Sequence, residues 1–385
     1  MSTLKVDGIR SNSASSDAIT LASDGTCTAN ITNRSNRNLV INGGMNVNQY
    51  GSSSSTSTGR KIFDRWMPSW NSGTITQSKE TLTSGGAYDA GHRSCLRLTN
   101  TSAAGSGAGD YVEVWYKWEA QDIAKSGWNY KSASSYITLS FWLRSSVAQT
   151  YSCTIQTRDG TNYLHPFTAV ISSANTWTKI TKTFAGNSNL TINDDNGDGL
   201  MMWVNPMQGS NFHNTNWNTD GWFAASGNSM FAGTTDTTWG TTAGATWDIT
   251  GFQLEVGDHA TDFEHRPFAQ ELALCQRYYE TSHSYGTAFG TNTSVGKFLQ
   301  NGSTNGAGNQ QSTIYFRTSK RADPTVTGHY DGTSGNWYGA RSGASGETTV
   351  SFDLAGTQSF RAYNSIGANY VASEHIGHWQ AVAEL

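Results

Sequence analysis

The stretch "YITLSFWLRS" at residues 136–145 decides the fold class of this chain. Apolar side chains occupy every second position, and mostly polar side chains occupy the positions between them. Successive side chains of a β-strand point to opposite faces, so a period of two is typical of a sheet that buries one face. The stretch therefore predicts a strand on a hydrophobic core. Its inward residues are Ile137, Leu139, Phe141 and Leu143, and they alternate with Thr138, Ser140, Trp142 and Arg144.

Strand-like stretches recur through residues 41–266, with Gly, Ser, Asn and Asp turn signals between them. They include CLRLTN, DYVEVWYKWE, YSCTIQTRD, FTAVI, WTKITKTFAG, LMMWVNP and WDITGFQLEVG. Roughly eight to ten antiparallel strands over about 230 residues predict an all-β fold, a jelly-roll β-sandwich. Two further short strands are predicted around an Asn-Gly-Gly turn, at residues 39–41 and 45–49.

A helix is predicted after the last sandwich strand, which ends at Gly257. Pro267 is favoured in the first turn of a helix, and apolar residues follow it at intervals of four, three and four. These residues are Phe268, Leu272, Cys275 and Tyr279. The stripe either contacts other subunits or packs on its own sandwich.

These boundaries divide the chain into four regions. Residues 1–40 hold short alternating pieces that bury too little apolar surface to fold alone, so we expect them to order on a partner. Residues 41–266 form the jelly roll and residues 267–282 the linking helix. Residues 283–385 form a smaller C-terminal β-domain.

Composition narrows the classes of function. The 385 residues include only 14% charged but 12% aromatic residues, which is typical of a folded β-protein. The net charge is −4 and the Lys and Arg residues are scattered, which gives nucleic-acid binding little support. No apolar run predicts membrane insertion or a secretory signal, so we expect synthesis in a cytoplasm. Four widely spaced cysteines are expected to be free thiols: Cys27, Cys95, Cys153 and Cys275.

Five ordered stretches resemble a known family. They are NLVINGGMNVNQYG (38–51), FDRW (63–66), ITGFQLEVGDHATDFEHRPFAQELALCQRYYE (249–280), RADPTVTG (321–328) and GHWQAVAEL (377–385). Together they resemble bacteriophage tail-fibre or appendage proteins, common in phages of marine bacteria and cyanobacteria, which carry a jelly roll like that of carbohydrate-binding modules. The opening MSTLKVDGI is similar to the virion-attachment segment of such proteins. Residues 209–245 match none of these motifs.

The resemblance implies a fibrous homotrimer on the virion that binds the host cell surface and is not an enzyme. Residues 1–40 are then expected to bind other virion proteins, and the C-terminal domain to form the distal tip. In a trimer, the stripe of Leu272, Cys275 and Tyr279 is expected to meet its copies on the threefold axis. Two alternatives remain open: a decoration fibre on the capsid, and a glycan depolymerase on the same scaffold.

Residues 211–247 combine several tryptophans with Asn, Thr, Asp and Gly. Sugars present apolar C–H faces ringed by hydroxyls, so aromatic rings among polar groups are typical of glycan sites. Trp217, Trp222 and Trp239 are therefore candidates to stack on a host surface polysaccharide. The alternative is that they pack in the core. The next candidates are Trp337, Tyr338 and Trp379.

No metal, cofactor or catalytic group is predicted. Asp194, Asn196 and Asp198 match the first half of a calcium loop, but position twelve is Asn205, so a polar turn is favoured. Neither G-x-S-x-G nor H-E-x-x-H occurs, and His375 and His378 are expected on opposite faces of a strand. Glu264, His265 and Arg266 are interpreted as fixing the connection between the last sandwich strand and the helix.

Overall fold

A computed structural model describes most of the chain. The described residues are 6–13, 17–21, 23, 27–29, 36–103, 105, 107–213, 220–227, 230–231, 237–302, 309–332, 335–341, 344–365 and 373–385. No helix within these ranges is long and apolar enough to cross a membrane.

The described elements follow the predicted order of an N-terminal segment, a sandwich, a helix and a second β-region. A three-stranded antiparallel sheet comes first, with β1 (Gly8–Ile9), β2 (Ile19–Leu21) and β3 (Cys27–Ala29). The sandwich comprises β4 (Ser54–Ser55), β5 (Met67–Trp70), β6 (Thr74–Thr81), α1 (Gly86–Asp89), β7 (Ser94–Ser102), β8 (Tyr111–Glu119), α2 (Ala120–Ala124), β9 (Tyr136–Ser145), β10 (Thr150–Thr157), β11 (Tyr163–Val170), β12 (Thr178–Ala185), β13 (Asp198–Gln208), a 3₁₀ turn (Ser210–Phe212), β14 (Phe223–Ala224), α3 (Thr238–Thr241) and β15 (Ala245–Val256).

Two six-stranded antiparallel sheets form the sandwich, as the strand pattern predicts. The first sheet has the order β12-β9-β15-β7-β6-β4, and the second has the order β14-β11-β10-β13-β8-β5. The predicted inward residues of β9 are all buried, and Phe141 stacks on Phe252 of β15 with ring centroids 4.6 Å apart. Cys95, Cys153 and Cys275 are free and buried, in agreement with the sequence.

The predicted strands at residues 39–41 and 45–49 are wrong. This segment is irregular, and the buried Asn42 organises it in a left-handed conformation with φ 59°. The Asn42 side-chain amide donates to the carbonyls of Val47 (2.9 Å) and Asp64 (3.0 Å). Gly43 lies so close to β15 that an added Cβ would meet the carbonyl oxygen of Phe252 at 2.1 Å. The Asn-Gly-Gly signal therefore marks a wedge against the sheet and not a hairpin.

The helix is shorter than predicted. It begins after Pro267 and spans only α4 (Phe268–Gln276). The next element, β16 (Tyr279–Thr281), is a strand that pairs with the last strand of the chain. Cys275 and Tyr279 are 0% and 1% exposed within a single chain, and Tyr50 stacks on the Tyr279 ring at 4.3 Å. Their assignment to a trimer interface is therefore wrong, because their own chain already covers them. Leu272, the third residue of the stripe, is half-buried.

The C-terminal domain is built around its last strand. Its strands are β17 (Phe298–Gly302), β18 (Asn309–Tyr315), β19 (Thr325–His329), β20 (Asn336–Arg341), β21 (Ala344–Thr349), β22 (Ser351–Asp353), β23 (Ser359–Ser365) and β24 (Ser373–Val382). Strands β16, β17, β19 and β20 all pair with β24, while β18, β23 and β22 form a separate sheet. As predicted, His375 and His378 have different surroundings: His375 bonds Ser312, and His378 stacks on His283 at 3.7 Å.

Buried polar contacts join the sandwich to the C-terminal domain. At the end of β8, the fully buried Glu119 accepts two 2.7 Å bonds from Arg277 and one 2.6 Å bond from the Tyr278 hydroxyl. Arg65 donates to Glu384 at 2.5 Å and lies 3.4 Å from the Tyr278 ring centroid. Breaking one partner of a buried ion pair costs about 3–5 kcal/mol, so these contacts fix the two domains strongly.

Replacing Asn42 by Ala is expected to destabilise the sandwich by about 2–4 kcal/mol, because it leaves two buried carbonyls and two N–H groups without their partner. The neighbouring Asn46→Ala, at an exposed position, is the matched control and should change stability little. Denaturant unfolding of both variants measures the difference. Equal stabilities would contradict the organising role of Asn42.

Candidate ligand-binding groove

The tryptophans proposed from the sequence do not form an open stacking surface. Trp239 is fully buried in the sandwich core, and its backbone N–H donates to Gln149 at 2.9 Å. Trp222 is half-buried against His165, and its indole N–H donates to the Ala185 carbonyl at 2.8 Å. Trp217 lies outside the described residues.

The reserve candidates fail for a similar reason. Trp337 and Trp379 belong to the buried core of the C-terminal domain, with 0% and 5% of their surfaces exposed. The side chain of Tyr338 is outside the described part of the chain. Burial in this domain therefore removes both tryptophans from any direct contact with a ligand.

The acidic turn at residues 193–199 sends its side chains to separate partners. Asp194 pairs with Lys125 at 2.6 Å, the Asn196 amide donates to the Arg321 carbonyl at 2.6 Å, and Asp198 pairs with Lys117. Among the described residues, no three His, Cys, Asp or Glu side chains converge as metal ligands. The turn is thus an anchoring element with connections to three other segments.

A groove lies instead on the outer face of the second sheet, where β8 and β13 are neighbours. Val112, Val114, Tyr116 and Trp118 of β8 all point into the core. The residues between them must point outward, because strand side chains alternate. On β13, Met201 lies opposite Lys117 and Trp203 lies opposite Trp115. The outward row of β8 thus alternates aromatic and charged side chains, and it lies beside the apolar row of β13.

The groove has a volume of about 370 Å³, within the range of about 300–1,000 Å³ that is usual for ligand sites. Its floor comes from the two strands, and its wall comes from the segment after β13, which is absent from the family-like motifs. The lining residues are Tyr111, Glu113, Trp115, Lys117, Arg158, Met201, Trp203, Phe212, Met230 and Phe231.

Aromatic rings dominate the floor. Trp203 is 6% exposed and lies edge-on to Phe231, with centroids 6.2 Å apart. Trp115 is half-buried and carries the more accessible indole of the pair. Tyr111 and Phe212 meet edge to face at 5.8 Å and close one end. Trp115 is therefore the most accessible flat ring of the floor, and the long side chains of Arg60 and Lys117 lie over it.

Glu113 is the unusual polar group of the groove. It faces an irregularity of β13, where the register shifts between Val204 and Met207 and two residues stand opposite one. No described donor bonds its carboxylate, and burial raises its pKa to about 7. The side chain is half-buried, so the carboxylate is partly desolvated, and carboxyls perturbed in this way within clefts are typical of functional sites.

Cations gather at the other end of the groove. Lys117 and Arg158 both approach Asp198, Lys117 in direct contact and Arg158 with Nε at 4.0 Å. Arg60 and Lys117 also lie 5.1 and 5.3 Å from the Trp115 ring centroid. The groove is therefore polarised, with a lone carboxyl at one end and two cations sharing a carboxylate at the other.

A larger cleft of about 1080 Å³ lies beside α2 and α4, but it offers less chemistry. No Phe, Tyr or Trp appears among its described lining residues, and its only ring is the imidazole of His259. Its cations are engaged: Arg277 with Glu119, Arg266 with Glu271, and Lys125 with Asp194. We therefore place the candidate site in the smaller aromatic groove.

Sequence reasoning missed the groove, although the signal was present. "DYVEVWYKWE" was correctly interpreted as a strand, and its outward positions carry Tyr, Glu, Trp and Lys in turn. A strand whose solvent face holds a tryptophan beside a carboxylate is a candidate ligand face.

No protein-family profile matches the sequence, and no curated protein is significantly similar to it. Among solved structures, the enzymatically active domain of tailspike protein 4 of bacteriophage CBA120 is 11% identical, over 57% of this chain and 22% of that chain, with a TM-score of 0.32. A putative sugar binding protein from Bacteroides thetaiotaomicron is 11% identical over 57% of this chain and 100% of that chain, with a TM-score of 0.29.

A family 11 carbohydrate-binding module from Clostridium thermocellum, in complex with a mixed-linked tetrasaccharide, is 11% identical over 55% of this chain and 98% of that chain, with a TM-score of 0.24. The chain thus spans less than a quarter of the tailspike structure that it matches. At these TM-scores, the similar structures do not assign a role to any residue of the groove.

Replacing Glu113 by Gln is expected to stabilise the protein at pH 8 by about 1–3 kcal/mol and to have little effect at pH 5. The raised pKa means that Glu113 binds its proton more tightly in the folded state than in the unfolded state. Its contribution to the free energy of unfolding is therefore fully present below about pH 4.5. It declines as the pH rises through about 7.

Denaturant unfolding at both pH values measures this difference. Glu80→Gln, on β6 of the first sheet, is the matched control, because Glu80 lies outside the groove. An equal effect of Glu113→Gln at pH 5 and pH 8 would show that the carboxyl is not held in an apolar environment.

Proposed function

We propose that this protein binds a bacterial surface glycan through the aromatic groove of the second sheet. The observation that carries the proposal is a half-buried tryptophan, Trp115, on a rigid strand beside a carboxyl that has no described donor. Ligand sites combine an apolar concave surface with a few placed polar groups, and this groove has that composition.

The chemistry of a pyranose ring fits the groove. Its C–H face packs on the flat Trp115 indole, and its equatorial hydroxyls donate to a carboxylate in the ring plane. Hydrogen bonds from hydroxyls to an ionised acceptor are the stronger class, so a ligand relieves the unpaired state of Glu113. Side chains on strands are held more precisely than those on loops, which favours a preformed site.

The proposed setting is a bacteriophage particle, and the sequence resemblance supports it. In this setting the protein is a tail fibre or appendage, residues 1–40 bind other virion proteins, and the chain forms a homotrimer. Three weak sites on one rigid body raise avidity by orders of magnitude. Attachment to the capsid as a decoration fibre remains the alternative setting, with the same binding chemistry.

A glycan depolymerase is the second candidate function, and the raised pKa of Glu113 is the observation that favours it, because a general acid needs such a pKa. Cleavage by two carboxylates requires a separation of about 5–10 Å. Glu113 is the only carboxyl among the described lining residues of the groove, and the carboxylate of the nearby Asp198 is held by Lys117. Binding without cleavage is therefore the function that we propose.

Removing the indole by Trp115→Ala is expected to weaken glycan binding by about 5- to 30-fold, equivalent to about 1–2 kcal/mol of lost ring contact. An array of purified bacterial surface polysaccharides finds ligands for the wild type, and calorimetric titration compares the variants. Trp142→Ala removes a half-buried tryptophan from the first sheet and is the matched control.

Thermal melts of both variants separate lost binding from lost folding. Unchanged affinity of a folded Trp115→Ala protein would exclude the groove as the glycan site. Release of new reducing ends from a bound polysaccharide by the wild type, abolished by Glu113→Gln, would favour the depolymerase function instead.

A further inference from the structure

We propose that the groove is selective for acidic glycans and that Arg158 and Lys117 hold a carboxylate of the sugar chain. The inference rests on the proposed function and adds the chemical class of the ligand. It comes from the cationic end of the groove, where positive charges and donors exceed the acceptors that the described residues supply.

Charge balance gives the first argument. Lys117 and Arg158 line the groove, and Asp198 is the carboxylate that both approach. Lys117 contacts it directly, whereas the Arg158 Nε remains at 4.0 Å, which is beyond hydrogen-bond distance. Among the described residues, two cations thus share one anion, which leaves about one positive charge for a ligand.

Unused donors of Arg158 give the second argument. Its Nη1 donates to the Gln156 side-chain oxygen at 3.2 Å, but its buried Nε has no acceptor among the described residues. A guanidinium carries five donors in a planar fork that matches the two oxygens of a carboxylate. A buried donor without an acceptor is costly, and a bound carboxylate removes that cost.

Spacing along β8 gives the third argument. Lys117 is two residues from Trp115 on the same face, which corresponds to roughly 7 Å along the strand. A sugar stacked on Trp115 therefore places its own carboxylate, or that of its neighbour, near Lys117 and Arg158. The third cation near the indole, Arg60, is already engaged with Glu384 at 3.4 Å and with the Leu385 carbonyl at 3.1 Å.

Glu113 sets the orientation of the ligand. It is four residues from Lys117, roughly 13 Å along the strand, so a carboxylate at the cationic end lies well away from it. In its ionised form, Glu113 repels a carboxylate placed beside it and so disfavours the reversed orientation. The neutral, hydroxyl-rich part of the chain then faces Glu113.

The test uses pairs of polysaccharides that differ only in charge. Uronic-acid oligosaccharides, such as oligogalacturonate and oligoalginate, and uronate-containing bacterial polysaccharides are compared with their carboxyl-reduced forms by calorimetric titration. The wild type is expected to bind the acidic form about 5- to 30-fold more tightly and to lose this preference as NaCl rises. A glucan that carries sulfate groups but no carboxylates distinguishes a carboxylate site from a general anion site. The proposal expects this glucan to bind more weakly than the uronate-containing glycans.

Arg158→Gln is expected to bring acidic and reduced forms within about twofold of each other while binding of the reduced form persists. Arg158→Lys keeps the charge but loses the fork, so its preference should lie between the two. Lys131→Gln removes an exposed cation outside the groove and should behave as the wild type. Lys117→Gln is the second variant if Arg158→Gln does not fold in thermal melts.

The outcomes separate the two proposals. Equal affinity for acidic and reduced forms, or acidic selectivity retained in folded Arg158→Gln and Lys117→Gln, overturns the inference while glycan binding stands. Tighter binding of the sulfated glucan also overturns the assignment to carboxylates. Absence of binding to every acidic and reduced glycan, together with unchanged behaviour of Trp115→Ala, counts against the proposed function itself.

Discussion

The packing of the two six-stranded sheets against each other is the constraint on which the rest of the structure depends. Burial of one face of β8 fixes the direction of every side chain on that strand, since a shift by one residue would exchange the two faces. With Val112, Val114 and Tyr116 in the core, Glu113 and Trp115 have no other place than the outer surface. The groove is thus a consequence of the core.

The same strand also fixes the position of the C-terminal domain. The last residue of β8, Glu119, is fully buried and bonds Arg277 and Tyr278, which follow the helix. One strand therefore contributes to the core, the groove and the joint between domains.

Sequence patterns predicted what depends on local periodicity and not what depends on tertiary contacts. The period of two gave the strands and the all-β sandwich, which the structure confirms. Exposure of an aromatic residue cannot be inferred from its neighbours in sequence, because polar loops pack as well as strands do. Trp239 is an example, because it is buried in the core although its sequence neighbours are Thr and Gly. Tyr279 is another, because the helix ends at Gln276 and Tyr279 begins a strand.

Glu113 has different neighbours on its two sides. On β5 its regular cross-strand partner is Ser69, whereas on β13 a register shift places two residues opposite it. A strand optimised for stability alone would carry a neutral residue at this half-buried position, because partial desolvation of a charge without a described donor is unfavourable. The residue that lowers local stability, Glu113, thus lies in the lining of the groove. Such conflicts in an otherwise consistent fold are expected where a ligand completes the structure.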